Sequence, residues 1–242
     1  MNMTSIYVSD NTATGTVTKF HPDGCSTVVA KGLNGPAGII LDSRGNLLYV
    51  ANSVSGTVEK FDSSGNHSSF ATNLNKPMGL ALDRSGNLYV ATAGGGTIEK
   101  FDSSGNKTTL ASGLNLPNPY LTFDSSENLY ATTTHTVEKF APGGARSTFL
   151  SVPNFVFGIA FDCCGRLYVS LQNAGSISGL HSNGLLSSDN PLQFAPTGLA
   201  FDGCNGQLYA AFGSSIRKYH LDGCGAVVAS GFTTARYIAV SQ

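Results

Sequence analysis

Residues 77–106 read PMGLALDRSGNLYVATAGGGTIEKFDSSGN, and this stretch decides the fold. It contains two apolar runs, 77–83 and 88–91, followed by the alternating run 97–101. Turns rich in Asp, Ser, Gly and Asn and a triple-glycine loop separate these runs, and the second turn leads into the polar run 107–111. Four short strands joined by hairpins predict one antiparallel sheet, in which the two apolar strands are buried on both faces.

The same phrase occurs six times along the chain, about every 40 residues, which is the length of a four-stranded propeller blade. A tyrosine in the second strand marks each copy: Tyr7, Tyr49, Tyr89, Tyr130, Tyr168 and Tyr209. The first copy begins at its second strand, Ser5–Ser9, and the segment 235–240 matches the missing first strand. We therefore predict an all-β fold, a six-bladed β-propeller of four-stranded antiparallel blades, as a single domain over residues 1–242. The C-terminal strand is expected to join the N-terminal blade and close the ring.

The charge of the chain is low and balanced. Its 242 residues include 14 Lys and Arg and 15 Asp and Glu, and the net charge is −1. Because no basic residues cluster, we expect binding neither to nucleic acid nor to anionic membranes. No apolar stretch is long enough to span a membrane, and the segment MNMTSIYVSD at 1–10 lacks the pattern of a signal peptide. The composition, poor in charge and rich in Ser, Thr and Asn, favours a monomer that is extracellular or periplasmic.

The repeated phrases resemble those of a known group of propellers. PAGIILDSRGNLLYVAN at 36–52 and GTVEKFDSSGN at 56–66 are similar to NHL repeats. More distantly, the chain resembles the senescence marker protein (SMP-30)/gluconolactonase group and the streptogramin lyases, which usually have seven blades. This scaffold carries lactonases, lyases, sensor domains and protein-binding domains, so the resemblance implies an architecture and leaves the activity open.

The resemblance also implies where a metal would bind. In the lactonase-like propellers, Glu, Asn and Asp side chains hold a divalent cation in the central channel, several of them at the start of the innermost strand. The matching positions of this chain are Ala37, Met78, Pro119, Phe157, Thr197 and Arg236. A hard cation needs about six oxygen ligands, some of them charged. We therefore predict no cofactor, and expect a divalent cation such as calcium only if the chain is nevertheless an enzyme.

Histidine is the candidate catalytic residue, because the streptogramin lyases use a His and a Glu at the top of the channel. His21, His181 and His220 occupy equivalent turns on the opposite face, and His67 starts an outer strand. His135 lies between a second and a third strand, on the face where propellers usually bind ligands. It is the one histidine that we propose as a base, although no carboxylate partner is evident in the sequence.

Arg236 is the most distinctive residue of the channel, since five copies place uncharged residues at its position. One interpretation is an ion pair with Asp10 that locks the two chain ends together. The other is an anchor for an anionic ligand. In that case the predicted ligand-binding residues are Arg236, Met78, Phe157, Thr197, Tyr120, Asp10, Asn52 and Gln172. They also fit ordinary core and loop positions.

Five cysteines are present, and their pairing stays open. Cys204 and Cys224 share a blade and could be bridged, Cys163 and Cys164 could form a strained vicinal bridge, and free thiols are equally compatible with the sequence.

Two functions from different classes follow. The favoured one is a non-catalytic NHL-like propeller that binds a small molecule or a protein at its channel mouth and top loops. The alternative is a hydrolase or lyase acting on a lactone or cyclic ester, with His135 as base and Arg236 as anchor. A purely structural module of a larger chain is a third possibility.

Overall fold

The computed structural model describes residues 4–12, 14–42, 45–180, 196–202, 206–219 and 225–241. Within these ranges the secondary structure consists of 22 β-strands, which confirms the all-β prediction. No helix capable of spanning a bilayer occurs in this part of the chain.

The strands form small antiparallel sheets arranged as in a propeller. The first contains β4 (Pro36–Leu41), β5 (Leu47–Asn52), β6 (Thr57–Asp62) and β7 (His67–Ala71). The second contains β8 (Pro77–Leu82), β9 (Leu88–Thr92), β10 (Thr97–Phe101) and β11 (Lys107–Ala111). The third contains β12 (Leu121–Phe123), β13 (Leu129–Thr132), β14 (Thr136–Phe140) and β15 (Arg146–Ser151). The fourth contains β16 (Val156–Phe161), β17 (Leu167–Leu171) and β18 (Ser176–Gly179).

A seven-stranded sheet joins the two ends of the chain. Its strands are β1 (Ile6–Asp10), β2 (Gly15–Phe20), β3 (Ser26–Leu33), β19 (Leu199–Asp202), β20 (Gln207–Ala211), β21 (Gly213–Tyr219) and β22 (Gly225–Val240). The long strand β22 belongs to two units. Its first part pairs with β21, where Gly225 lies opposite Tyr219, and its last part pairs with β1, where Val240 lies opposite Ile6. The predicted pairing of the C-terminal segment with the N-terminal strand is therefore present.

The hairpin turns follow directly from their Asp-x-x-Gly sequences. In the turn after β10, one Asp102 carboxylate oxygen accepts hydrogen bonds from the backbone N–H of Ser104 at 2.8 Å and of Asn106 at 2.9 Å. Gly105 adopts φ of 83°, a conformation that favours glycine. The Asn106 side chain donates to the same carboxylate, and these bonds hold the pKa of Asp102 below its usual value. These carboxylates serve the turns, as the sequence predicts.

Glycine sets the spacing of the innermost strands. A Cβ atom on Gly38 would overlap the carbonyl oxygen of Met78 in the neighbouring sheet, and one on Gly158 would lie 2.5 Å from the carbonyl oxygen of Thr197. Gly79 and Gly198 meet the next sheet in the same way. Neighbouring inner strands can approach this closely only because these four positions carry no side chain.

Candidate ligand site at the channel

Two tyrosines occupy the position that is glycine in the other four copies of the phrase. The rings of Tyr120, next to β12, and Tyr237, in β22, stack with centroids 4.2 Å apart and planes 18° apart. The Tyr120 hydroxyl donates to the carbonyl oxygen of Arg236 at 2.7 Å, and the Tyr237 hydroxyl donates to that of Pro119 at 3.0 Å. Each tyrosine therefore bonds the residue that precedes the other one. We call this reciprocal arrangement the tyrosine clasp.

The clasp stays uncharged at neutral pH. Burial raises the pKa of both phenols, and the positive charge of Arg236 opposes this rise only in part. Both rings lie in the core, with exposed fractions of 7% for Tyr120 and 4% for Tyr237. The two phenols therefore act as neutral hydrogen-bond donors that hold opposite inner strands together.

Arg236 lies at the start of the inner strand, half-buried beside the clasp. Its Nη1 donates to the side-chain oxygen of Asn118 at 3.1 Å. The ion pair with Asp10 that the sequence suggested is not formed. The Asp10 carboxylate instead accepts the backbone N–H groups of Thr233 at 3.2 Å and Thr234 at 2.8 Å. Asp10 is thus satisfied within the seven-stranded sheet, and the described residues give Arg236 no carboxylate partner.

The other predicted ligand-binding residues fall into two groups. Some lie at the starts of the inner strands, as Arg236 does, and the others lie at or just after the ends of second strands. Met78 is buried, Phe157 is half-buried, and the Thr197 hydroxyl donates to the carbonyl oxygen of Ala211 at 3.2 Å. Asn52 is buried at the end of β5 and lines a different cleft, of about 550 Å³, together with residues such as Glu59 and Ser69.

Gln172 is half-buried in the turn after β17, where its backbone N–H donates to the carbonyl oxygen of Phe155 at 3.0 Å. Arg236, Met78, Phe157, Thr197 and Tyr120 thus all belong to the starts of the inner strands, whereas Asp10, Asn52 and Gln172 make their polar contacts elsewhere.

His135 is exposed and lies in the turn between β13 and β14. Its ring stacks on Phe155 at a centroid distance of 5.0 Å, and its Nδ1 lies 3.3 Å from the carbonyl oxygen of Asn154. No ion pair joins it to a carboxylate of the described residues. His21 lies 3.0 Å from the Thr27 hydroxyl, His67 stacks on Phe61, and His181 and His220 lie outside the described residues.

A cavity borders the tyrosine clasp. It measures about 870 Å³ and is lined by Tyr120, Tyr237 and the last residues of the inner strands, whereas Arg236 and Asn118 do not line it. The clasp therefore borders this cavity, whereas Arg236 contributes nothing to its walls.

The residues at the mouth do not fit the divalent cation that the resemblance implies. The six positions at the strand starts provide no carboxylate, and the described residues contain no group of three His, Cys, Asp or Glu side chains that could hold a metal. The charge contributed by these positions is the positive charge of Arg236, which disfavours a second cation nearby.

Comparison with known proteins identifies the family of the chain. The family model of the SMP-30/Gluconolactonase/LRE-like region matches residues 1–135. The chain belongs to this family. No curated protein sequence matches it.

Solved structures of three similar proteins share the fold of this SMP-30/gluconolactonase family member. A chain in the crystal structure of a nidogen/laminin complex is 16% identical with a TM-score of 0.84, and the alignment covers 99% of this chain and 98% of that one. A gluconolactonase from Xanthomonas campestris is 19% identical with a TM-score of 0.72, covering 84% and 78%. A streptogramin B lyase is 20% identical with a TM-score of 0.67, covering 80% and 68%.

Two residues of the candidate site were not predicted from the sequence. Tyr237 and Asn118 both replace a residue that recurs in other copies of the family phrase, Gly in the first case and Pro in the second. A comparison of all copies at these positions would have found them, because Tyr120 and Tyr237 break the glycine pattern together.

Proposed function

We propose that this chain is a non-catalytic ligand-binding propeller whose mouth, at the strand starts, takes a small molecule bearing a carboxylate or phosphate group. The observation that carries the proposal is the half-buried guanidinium of Arg236, which has a hydrogen bond to Asn118 and no carboxylate partner among the described residues. A partly desolvated guanidinium is stabilised by an anion, and it offers a planar pair of donors to one.

The surroundings of Arg236 suit a ligand with an apolar body. Met78 and Phe157 occupy the equivalent positions of two other inner strands, and the Tyr237 ring of the clasp belongs to the residue that follows Arg236 in the chain. Because the phenol hydroxyls already donate to backbone carbonyls, they leave Arg236 as the principal donor for the ligand. We therefore expect the anionic group at Arg236 and the apolar part against the neighbouring side chains.

We infer that the propeller has six blades and a closed ring. The innermost strands contact one another in a cycle that runs β22, β4, β8, β12, β16, β19 and back to β22. Tyr120 and Tyr237 stand three steps apart in this cycle in either direction, as expected of residues that meet across the axis of a six-membered ring. Residues 181–195, which follow β18 after Leu180, lie outside the described ranges.

Binding is tested by calorimetry with a set of small aromatic and aliphatic carboxylates and phosphates. Arg236→Gln should weaken binding of the best ligand about 10- to 100-fold, because hydrogen bonds to charged groups contribute about 1.5–3 kcal/mol. Arg166→Gln, which removes a charge from an exposed turn, is the matched control and should bind normally. Equal affinity in the wild type and Arg236→Gln would refute the proposal.

A hydrolase or lyase acting on a lactone or cyclic ester is the second candidate, and membership of the SMP-30/gluconolactonase family favours it. His135 would act as the base and Arg236 as the anchor for a carboxylate or oxyanion. Turnover of a lactone panel should then fall strongly in His135→Ala and Arg236→Ala. Turnover that neither substitution changes would rule out this assignment of roles.

A protein ligand is a variant of the first proposal. The structural neighbour in the nidogen/laminin complex belongs to a protein assembly, and its alignment spans nearly all of both chains. A carboxylate of a partner protein would then take the place of the small anion at Arg236. Capture of a partner by the wild type and by Arg236→Gln in equal amounts would argue against this variant.

A further inference from the structure

One turn of the propeller differs from its counterparts in chemistry but not in shape. The central residues of the turn between β16 and β17 are Cys163 and Cys164, whereas the corresponding turn between β12 and β13 carries Ser125 and Ser126. The Cys164 N–H donates to the Asp162 carboxylate at 2.9 Å, just as the Ser126 N–H does to its own aspartate at 2.9 Å. The turn conformation therefore does not require cysteine.

The two thiols are accessible and close to each other. Cys163 and Cys164 are both exposed and unbridged. Their side chains are in hydrogen-bond contact, which raises the pKa of the Cys164 thiol, as does the nearby charge of Asp162. The Cys164 group is therefore mainly a protonated thiol at neutral pH, and the two side chains lie side by side on the protein surface.

A direct disulfide is a poor fit for this pair. Consecutive Cα atoms lie about 3.8 Å apart, whereas disulfides usually join Cα atoms about 4.4–6.8 Å apart. An ion that bridges the two sulfur atoms allows them to stay further apart than an S–S bond does. Thiolates are soft ligands that select soft metals.

We propose that Cys163 and Cys164 form a two-thiol site for a thiophilic metal or metalloid ion, of which a trivalent arsenical is the simplest probe. With phenylarsine oxide, two S–H bonds and the bond between arsenic and oxygen break, and two bonds between arsenic and sulfur form. The two protons leave with the oxygen as one molecule of water, and no atom is oxidised or reduced. The cysteine pair lies in the turn after β16, whereas Arg236 lies at the start of an inner strand. The proposed thiol site is therefore independent of the ligand site proposed at Arg236.

The test uses the full chain, reduced with a phosphine and then treated with one equivalent of phenylarsine oxide in the presence of excess monothiol. Intact-mass analysis should show one bound phenylarsenic group, which a small dithiol then removes. Cys163→Ser and Cys164→Ser should each abolish this retention. Their folding is expected to be normal, because serines occupy both positions in the equivalent turn between β12 and β13, and circular dichroism would verify it.

Controls separate this pair from the other cysteines of the chain. Cys25→Ser removes an exposed single thiol and should retain the adduct. The double variant Cys204→Ser/Cys224→Ser, at positions outside the described residues, should also retain it. Retention that survives Cys163→Ser and Cys164→Ser, or an adduct that excess monothiol displaces from the wild type, would overturn the proposal.

Discussion

Removing one hydroxyl group from the tyrosine clasp should destabilise the whole propeller. In Tyr237→Phe the ring still stacks on Tyr120, but the buried carbonyl oxygen of Pro119 loses the hydrogen bond that it accepts at 3.0 Å. A buried acceptor left without a donor costs about 1–3 kcal/mol. For a domain of this size, each kcal/mol lowers Tm by about 2–4 °C, so we expect a fall of about 2–12 °C.

Tyr120→Phe should have a similar effect through the carbonyl oxygen of Arg236. If the two bonds act separately, the double variant loses about 2–6 kcal/mol, which is a large part of the stability of a typical domain. The stacked rings are in contact, so a double-mutant cycle should also reveal a coupling energy of about 0.5 kcal/mol or more.

Urea unfolding followed by tyrosine fluorescence measures these losses, since the chain has nine tyrosines and no tryptophan. The unfolding midpoint should fall while the m-value is unchanged. An unchanged m-value would show that unfolding exposes the same surface area in the variant as in the wild type. Tyr209→Phe is the matched control, because its hydroxyl lies 3.5 Å from Gln207 and makes a much longer contact. If Tyr237→Phe were no less stable than Tyr209→Phe, the hydroxyl bonds of the clasp would not stabilise the ring.

Two further perturbations address the same inner strands. Because burial raises the pKa of Tyr120 and Tyr237 in the folded state, unfolding should release their protons above about pH 10. Stability should then fall as pH rises, by up to about 1.4 kcal/mol per pH unit for each phenol, and the slope should be shallower in the double Phe variant when unfolding is measured by circular dichroism. Gly38→Ala should lose about 1–3 kcal/mol in urea unfolding because its Cβ overlaps the carbonyl oxygen of Met78, whereas Gly143→Ala, which has open space around it, should change stability by less than about 1 kcal/mol.

The strands and turns could be predicted because each is specified by neighbouring residues and the same sequence pattern recurs in other repeats. Asp102, Gly105 and Asn106 specify a turn through contacts within five residues, and the same solution recurs in other copies. The clasp could not be predicted in this way. Its hydrogen bonds join residues 116 and 118 positions apart, and they become evident only when the copies are placed around an axis.

The interpretation of Arg236 shows a related limit. Proximity in the blade suggested Asp10 as its partner, but the backbone N–H groups of Thr233 and Thr234 in β22 already donate to that carboxylate. The repeat pattern indicates which residues lie near each other. It does not show whether a carboxylate accepts hydrogen bonds from a side chain or from backbone N–H groups, because that depends on the direction of each N–H group. This competition between donors left the guanidinium available at the mouth.

The channel of this chain departs from its family at the axis while keeping the family's strands and turns. In the lactonase-like relatives, the resemblance implies oxygen ligands at the strand starts that attract a cation. Here Arg236 brings a positive charge to the equivalent positions, and Tyr120 and Tyr237 stack on each other one residue further along the inner strands. The sign of the electrostatic preference is thereby reversed, because a half-buried positive charge repels a divalent cation and attracts an anion. In the binding function proposed above, the anionic group of the ligand would supply the main attraction, because the phenols of the clasp already donate to backbone carbonyls.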